Sequence, residues 1–350
     1  MKKTKQIRVG DVAIGGGAPV CVQSMCNTDT RDVAATVAQI LALEQVGCEL
    51  IRVAVVDDLA ARAIGEIKKE IHIPIVADIH FDYRLAITAA ECGADKIRLN
   101  PGNIGGEDRV RQVVSVCRAK NIPIRIGVNG GSLDRALLAK YGGVTPEAMV
   151  ESALAHVAIL NRLDFDDIAI SIKHSDVRKT IAAYRLLSQK TDYPLHLGVT
   201  ETGTAYMGAI KSAIGIGSLL CDGIGDTIRV SLTADPLEEV RTAYAILKAS
   251  GVRRRGVNLI SCPTCGRCRI RLIEIASEVE RRLQHETRPL TVAVMGCAVN
   301  GPGEAREADV GIAGGDREGL LFRHGEIVRK VPMEQLVDAL MQLIDTLPEE

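Results

Sequence analysis

The sequence lacks tryptophan, and aromatic residues of all kinds make up only 3% of it. This scarcity argues against a platform for single-stranded nucleic acid, which stacks its bases on aromatic side chains. The net charge is −1, so no excess of positive charge attracts a polyanion. No stretch is long and apolar enough for a membrane span, and the basic N-terminus precedes no signal-peptide apolar segment. We therefore predict a cytoplasmic protein without a nucleic-acid or membrane partner.

Ten cysteines are present, and in a sequence of this cytosolic type they indicate thiols or metal ligands, not a disulfide framework. Six are scattered through apolar surroundings, where a cysteine is most simply a small core residue: Cys21, Cys26, Cys48, Cys92, Cys117 and Cys221. Because aromatic residues are few, the core must be built from Ala, Val, Ile and Leu. That composition suits a fold of buried parallel strands.

Eight short apolar runs, separated by helix-length segments, follow one another along the chain. They are residues 20–26, 49–55, 74–80, 96–102, 123–130, 168–174, 194–201 and 227–233. Eight such units match a TIM (β/α)₈ barrel. An open doubly wound sheet would need a glycine-rich turn after its first strand, whereas GGGAP precedes it here. We predict an α/β protein with a TIM barrel in residues 1–250 and a small α/β domain in residues 251–350.

Charged or amide side chains stand near the C-terminal ends of these runs, where a TIM barrel has its active site. They are Arg52, Asp78, His80, Arg98, Asn100, Arg125, Asn129, Lys173, Glu201, Arg229 and Ser231. Five of them are cations, and the nearby acids Asp78 and Glu201 are too few to neutralise them. Buried cations without counter-charges are costly, and arginine forks suit phosphate. The pattern predicts a small diphosphate-bearing substrate.

Four cysteines near the C-terminus form a candidate metal centre. Cys262, Cys265 and Cys268 are spaced two residues apart in SCPTCGRC, and Cys297 follows an apolar strand. A closed site with all four would hold structural zinc or a [4Fe–4S] electron relay. Alternatively, three cysteines bind a [4Fe–4S] cluster and leave one iron for a weaker ligand. Spacing alone leaves these alternatives open.

Several long motifs resemble those of one enzyme family. They are SCPTC with MGC-x₂-NGPGE, and, in the barrel, VADIHF, IRLNPGNIG, RIGVNGGSL, GVTE and GIGDTIRVSLT. Together these strings resemble hydroxymethylbutenyl diphosphate synthase of the non-mevalonate isoprenoid pathway, in its short two-domain form. The resemblance covers essentially the whole chain, and the motifs occur in order.

The resemblance implies an iron–sulfur oxidoreductase. Its reaction would be the reductive ring opening and dehydration of 2-C-methyl-D-erythritol 2,4-cyclodiphosphate to 4-hydroxy-3-methylbut-2-enyl diphosphate. The family implies a [4Fe–4S] cluster on Cys262, Cys265 and Cys297, with Glu304 as an exchangeable fourth ligand. Cys268 departs from the family's motif and would be a bystander.

The resemblance also implies roles and partners for the rest of the site. Asn300 and the barrel residues named above other than His80 and Glu201 would bind the cyclic diphosphate. His80 and Glu201 are instead our candidates for the proton donor. Ferredoxin or flavodoxin would donate electrons, and the chain would form a head-to-tail homodimer. Two rival interpretations remain: a pterin-binding-type barrel transferase, and a barrel that carries a structural zinc module.

Overall fold

The computed structural model describes residues 1–297, 303 and 305–348, apart from the side chain of Ser132. The chain divides into two compact units, Met1–Arg253 and Arg254–Glu350. Each unit has its own hydrophobic core. This division lies close to the boundary predicted after residue 250, and the separate role assigned to each part stays a prediction. Among the described residues, no helix has the length and apolar character needed to cross a membrane.

The first unit contains an eight-stranded parallel sheet that closes almost completely into a barrel. A short hairpin, β1 (Ile7–Val9) and β2 (Val12–Ile14), precedes it. The barrel strands are β3 (Cys21–Met25), β4 (Leu50–Ala54), β5 (Ile75–Asp78), β6 (Lys96–Leu99), β7 (Ile124–Asn129), β8 (Ile168–Lys173), β9 (His196–Leu197) and β10 (Thr227–Ile228). Their order is β8-β7-β6-β5-β4-β3-β10-β9, and a bridge between Ile170 and Leu195 joins the two ends. The predicted TIM barrel is confirmed.

Helices follow the strands and cover the outside of the barrel. They are α1 (Val33–Gln45), α2 (Asp58–Glu70), α3 (Tyr83–Glu91), α4 (Glu107–Ala119), α5 (Arg135–Tyr141), α6 (Pro146–Arg162), α7 (Val177–Lys190), α8 (Ala205–Cys221) and α9 (Pro236–Ala249). Most begin at an aspartate or threonine whose side chain accepts a backbone N–H, such as Asp32 before α1 and Asp235 before α9. The last one ends as predicted, since Gly251 adopts a left-handed φ of 69°.

Each of the eight predicted runs contains a barrel strand, although β9 and β10 are only two residues long. The sequence analysis did not predict the hairpin, because three-residue strands contain too little alternation to recognise. Its apolar side chains pack against residues at the N-terminal ends of the barrel strands. The members of this cluster are Ile7, Val9, Ile14, Cys21, Leu50 and Ala169. The hairpin therefore covers that end of the barrel, and the polar strand ends lie at the other.

The described residues of the second unit form a five-stranded mixed sheet with helices packed against it. Its elements are β11 (Asn258–Ser261), α10 (Leu272–Arg282), β12 (Thr291–Met295), β13 (Val310–Ala313), β14 (Glu318–Arg323), β15 (Glu326–Pro332) and α11 (Leu336–Asp345). The first three strands are parallel and the last two antiparallel. Apolar residues of α10 and α11, such as Leu272 and Leu340, pack with Val292 and Val294 of β12.

Candidate active site

Several of the predicted charged residues occupy matching positions on neighbouring strands. In the strand registers, Asp78 pairs with Arg98, and Arg98 pairs with Arg125 on the next strand. Paired residues of adjacent strands point to the same face of a sheet. The side chains of Arg98 and Arg229 are 12% and 15% exposed, so these guanidinium groups are largely buried but still reach solvent. The interior is therefore polar and cationic at this level.

Asp78 holds two of the arginines. Its Oδ1 accepts a hydrogen bond from Nη1 of Arg98 at 3.1 Å, and its Oδ2 lies 3.7 Å from Nε of Arg52. Burial by itself would raise the pKa of Asp78, but the charges of Arg52 and Arg98 outweigh it and the pKa is lowered. The carboxylate thus stays ionised and fixes both guanidinium groups before a ligand arrives.

Two glycines on the inner wall make room for the cations. A Cβ at Gly127 would lie 2.5 Å from Nε of Arg98, and one at Gly198 would lie 2.9 Å from Nζ of Lys173. The Gly127 carbonyl also accepts from Nη2 of Arg98 at 3.1 Å, and its N–H donates to Oδ1 of Asn100 at 2.9 Å. The sequence analysis did not assign a role to either glycine.

A second buried carboxylate, Glu239, was also missed. It lies in the first turn of α9 and is 5% exposed. Its Oε2 is 3.7 Å from Nε of Arg229 and accepts from the Ser24 hydroxyl at 3.2 Å, while its Oε1 accepts from the Leu232 N–H at 3.0 Å. An acid in the first turn of a helix usually answers the helix dipole. Nothing in the local sequence therefore distinguishes Glu239 from its neighbour Glu238.

Arg125 is covered more deeply than the other cations. It is 1% exposed, and its Nη1 donates to Oε1 of Gln23 at 2.9 Å. Lys96, on the adjacent strand, is also 1% exposed; burial and the charge of Arg125 lower its pKa to about 7. These two residues belong to the barrel interior beneath the groups that reach the mouth.

The remaining predicted barrel residues follow the strands that carry the cations. Asn129 ends β7, and Ser231 is half-buried, with its carbonyl accepting the hydroxyl of Thr202. His80 and Glu201 are both exposed. Glu201 has a φ of 55°, a left-handed conformation that is strained for a residue with a side chain. That strain is the feature by which the structure singles out Glu201.

Cys262 follows β11 and Cys297 follows β12, and these two strands are neighbours in the second sheet. The Gly296 N–H donates to Sγ of Cys262 at 3.2 Å. A Cβ at Gly296 would lie 2.8 Å from Sγ of Cys268 and 3.5 Å from Sγ of Cys262, so both sulfurs flank the residue before Cys297. Cys265 is exposed, and hydrogen bonds from the backbone and side chain of Arg267 lower its pKa.

These donors suit iron in their chemistry. Thiolates are the ligands of iron–sulfur clusters, and the lowered pKa of Cys265 favours its thiolate form. Among the described residues, no three histidine, cysteine, aspartate or glutamate side chains are grouped closely enough to hold a metal ion. The predicted ligand Glu304 and the predicted substrate-binding residue Asn300 lie outside the described residues.

Fold and site together define a class. The protein is a TIM barrel whose strand ends carry arginines paired with buried carboxylates, and a small domain with several cysteines follows it. Comparison with known families assigns it. The model described as the GcpE TIM-barrel domain matches residues 4–244, and that of the GcpE protein C-terminal domain matches residues 258–346. The chain belongs to the GcpE family, whose curated members named below are 4-hydroxy-3-methylbut-2-en-1-yl diphosphate synthases (flavodoxin). The predicted resemblance is confirmed.

Relatives with this name match the chain from end to end. The protein from Geobacter sulfurreducens is 62% identical over 348 residues, covering 99% of each chain. That from Ruminiclostridium cellulolyticum is 60% identical over 342 residues, covering 98% of this chain and 97% of the relative. That from Maridesulfovibrio salexigens is 58% identical over 350 residues, covering 100% and 98%.

Solved structures of other enzymes share only the barrel. A sialic acid synthetase from Leptospira borgpetersenii superposes with a TM-score of 0.51 at 11% identity, covering 71% of this chain and 90% of that one. A dihydropteroate synthase from Yersinia pestis gives 0.50 at 10% identity, covering 71% and 100%. At such identities the likeness concerns the fold alone, so it does not support the pterin-binding alternative.

Proposed function

We propose that this protein converts 2-C-methyl-D-erythritol 2,4-cyclodiphosphate into 4-hydroxy-3-methylbut-2-enyl diphosphate, consuming two electrons and releasing water. One observation carries the proposal beyond family membership. The barrel mouth contains several cations, and its two buried carboxylates, Asp78 and Glu239, already pair with arginines. In addition, Nε of Arg229 has no hydrogen-bond acceptor among the described residues. An anionic ligand with several oxygens satisfies both requirements.

In this proposal residues 1–250 bind the substrate. Arg52, Arg98, Lys173 and Arg229 contact the diphosphate oxygens from four strands, and Arg125 supports them from below. The other polar residues orient the sugar-derived part of the substrate: Asp78, Asn100, Asn129, Ser231 and Asn300. Fixed cations of this kind also stabilise the negative charge that gathers on the departing phosphate oxygen.

We further propose that residues 251–350 hold a [4Fe–4S] cluster through Cys262, Cys265, Cys297 and Glu304. When bound, such a cluster supplies electrons and a Lewis-acidic iron. A carboxylate oxygen is a harder ligand than thiolate, so Glu304 binds iron more weakly and is the exchangeable member. The hydrogen bond from Gly296 to Cys262 steadies one of the three thiolates.

Protons for the departing hydroxyl come from the barrel face in this scheme. Glu201 and His80 both follow strands at the C-terminal end, and both are exposed to solvent from which they can be recharged. A head-to-tail homodimer, in which one chain's cysteine domain covers its partner's barrel, would bring the proton donors near the electron source.

The electron donor is proposed to be flavodoxin, which the relatives' names specify, or ferredoxin. The test is an anaerobic turnover assay with reduced flavodoxin, combined with iron, sulfide and zinc analysis. Arg98→Gln is expected to lower kcat/KM about 100-fold or more, by analogy with the loss of a charge-stabilising donor. Arg111→Gln, an exposed arginine of α4, is the matched control and should be unaffected.

Stoichiometric zinc without sulfide in fully metallated protein would contradict the cluster and favour the structural zinc module. Wild-type protein with a complete cluster but no turnover would contradict the reaction itself. Equal activity of Arg98→Gln and Arg111→Gln would contradict the assignment of the barrel mouth as the substrate site.

A further inference from the structure

The barrel interior carries more positive charge than its own acids neutralise. Two buried carboxylates face the five cations of the predicted site, and arginines occupy both. Asp78 is engaged by Arg98 and Arg52, and Glu239 by Arg229. Within the part of the chain that the structure describes, neither Arg125 nor Lys173 has a carboxylate within 4.0 Å. The unbalanced charge therefore falls on these two residues.

Arginine and lysine respond differently to such an imbalance. A guanidinium keeps its proton in proteins, whereas a buried lysine readily gives its proton up. Of the buried lysines that the structure describes, Lys96 begins β6, so the lysine at the mouth that can relieve this charge is Lys173. It ends β8, is 7% exposed, and its Nζ lies, like the carbonyl oxygen of Arg229, next to the position that a Gly198 side chain would occupy.

The charges that act most strongly on Lys173 are positive. They belong to Arg229 just after β10, Arg52 on β4, Arg125 on β7 and Arg98 on β6. Burial, followed by these four charges, lowers the pKa of Lys173 well below its ordinary value. Its register partner Asn129 is neutral. His196 on β9 is fully buried, and burial likewise lowers its pKa well below the ordinary value. It therefore supplies no negative charge to balance Lys173.

We propose that Lys173 is uncharged in the substrate-free barrel and takes up one proton from solvent when a diphosphate binds in the mouth. The proposal rests on the proposed function, since it needs a dianionic ligand among these arginines. Phosphate oxygens reverse the sign of the local potential and favour the ammonium form. The neutral amine avoids a further buried charge in the free protein, and the ammonium becomes a phosphate contact in the complex.

The cyclic diphosphate is well suited to reveal such uptake. Each phosphorus has one ester and one anhydride link, which leaves one strongly acidic hydroxyl, so the ligand's charge is constant near neutral pH. A proton taken up on binding therefore goes to the protein. Because binding takes up one proton, the affinity should fall about tenfold per pH unit as the pH rises above the pKa that Lys173 has in the substrate-free protein.

The experiment is calorimetric titration of the cluster-containing, oxidised protein with the cyclic diphosphate. Reductant is left out so that no turnover occurs. Buffers with different ionisation enthalpies give the number of protons taken up, expected to be about one per site in wild type. Lys173→Arg, which is permanently charged, should bind with little or no uptake. Lys190→Arg, an exposed lysine of α7, is the matched control and should retain it.

Two results would overturn the proposal while leaving the proposed function intact. One is that wild-type protein binds without proton uptake and its affinity does not change between about pH 7 and 9. The other is undiminished uptake in Lys173→Arg, which would transfer the proton to another buried base such as Lys96 or His196. If Lys173→Arg misfolds, Lys173→Gln serves, with weaker and pH-independent binding expected. Complete absence of binding to wild type would contradict the proposed function, and this inference with it.

Discussion

Gly127 leaves the space that Arg98 fills, because a Cβ at Gly127 would lie 2.5 Å from Nε of that arginine. The carbonyl of the same glycine accepts a hydrogen bond from Nη2 of Arg98 at 3.1 Å. Strand β7 therefore provides both the room and one hydrogen bond for a side chain that β6 contributes. The backbone of the barrel wall is in this way part of the proposed anion site.

Gly127→Ala should displace Arg98 and weaken substrate binding. The added methyl group must displace the guanidinium of Arg98, which Asp78 holds in place by a hydrogen bond. Overpacking of this kind lowers the free energy of unfolding by about 1–3 kcal/mol. We expect KM to rise more than kcat falls, measured by anaerobic turnover, with denaturation as the stability measurement. Gly217→Ala, in α8, is the control, since its nearest neighbour beyond the helix is 3.9 Å away. Equal kinetics in the two variants would contradict the role of Gly127.

Asp78→Asn should destabilise the barrel, because it leaves Arg52 and Arg98 as uncompensated buried charges. Breaking a buried pair from one side typically costs about 3–5 kcal/mol. Urea denaturation of both proteins at neutral pH measures the loss. Asp192→Asn is the control: Asp192 pairs with Lys2 at 3.0 Å but is 80% exposed, where a pair contributes little.

The same substitution should change the acid side of the stability profile. The pKa of Asp78 is lower in the folded protein than in the unfolded chain, so its stabilisation is complete above the unfolded pKa of about 4. It is lost as pH falls from there through the folded value. The difference in unfolding free energy between wild type and Asp78→Asn should therefore shrink in acid. A difference independent of pH would show that the charge of Asp78 is not its source.

Glu239→Gln should reduce substrate binding with a smaller effect on folding. The glutamine carbonyl can still accept from the Leu232 N–H, and its amide can donate to the Ser24 hydroxyl oxygen, so the main loss is the charge opposite Arg229. We expect kcat/KM to fall about tenfold, which corresponds to roughly 1.4 kcal/mol. Glu238→Gln is a control in the same helical turn, because the ion pair of Glu238 in the described part of the chain is with the exposed Arg241. If both variants keep wild-type kinetics, Glu239 does not position Arg229.

The cysteine variants should separate ligands from neighbours. Cys265→Ser should lose iron and sulfide, whereas Cys268→Ser should keep about four irons per chain if three cysteines hold the cluster. Iron and sulfide analysis with Mössbauer spectra of anaerobic protein measures this. Because Sγ of Cys268 flanks Gly296 together with Sγ of Cys262, the opposite result has a clear meaning. Loss of the cluster in Cys268→Ser would make Cys268 a ligand.

Much of the barrel was predictable because each strand has a recognisable pattern in its own short stretch of sequence. Short apolar runs interrupted by Arg52, Asp78, Arg98 or Lys173 indicate strands that are buried along most of their length and polar where they end. The hairpin of β1 and β2 escaped because three residues carry too little pattern. The cysteine motif indicated a metal site, but its spacing could not choose among ligand sets.

The sequence by itself determined the fold class, the end of the barrel that carries the chemistry, and most of the cations there. Only the tertiary structure decided how those cations are balanced. Glu239 lies 215 positions from Ser24 along the chain, and Gly127 matters because a different strand brings Arg98 against it. Electrostatic energy and steric exclusion depend on distances in space, and those distances exist only once the sheet has closed.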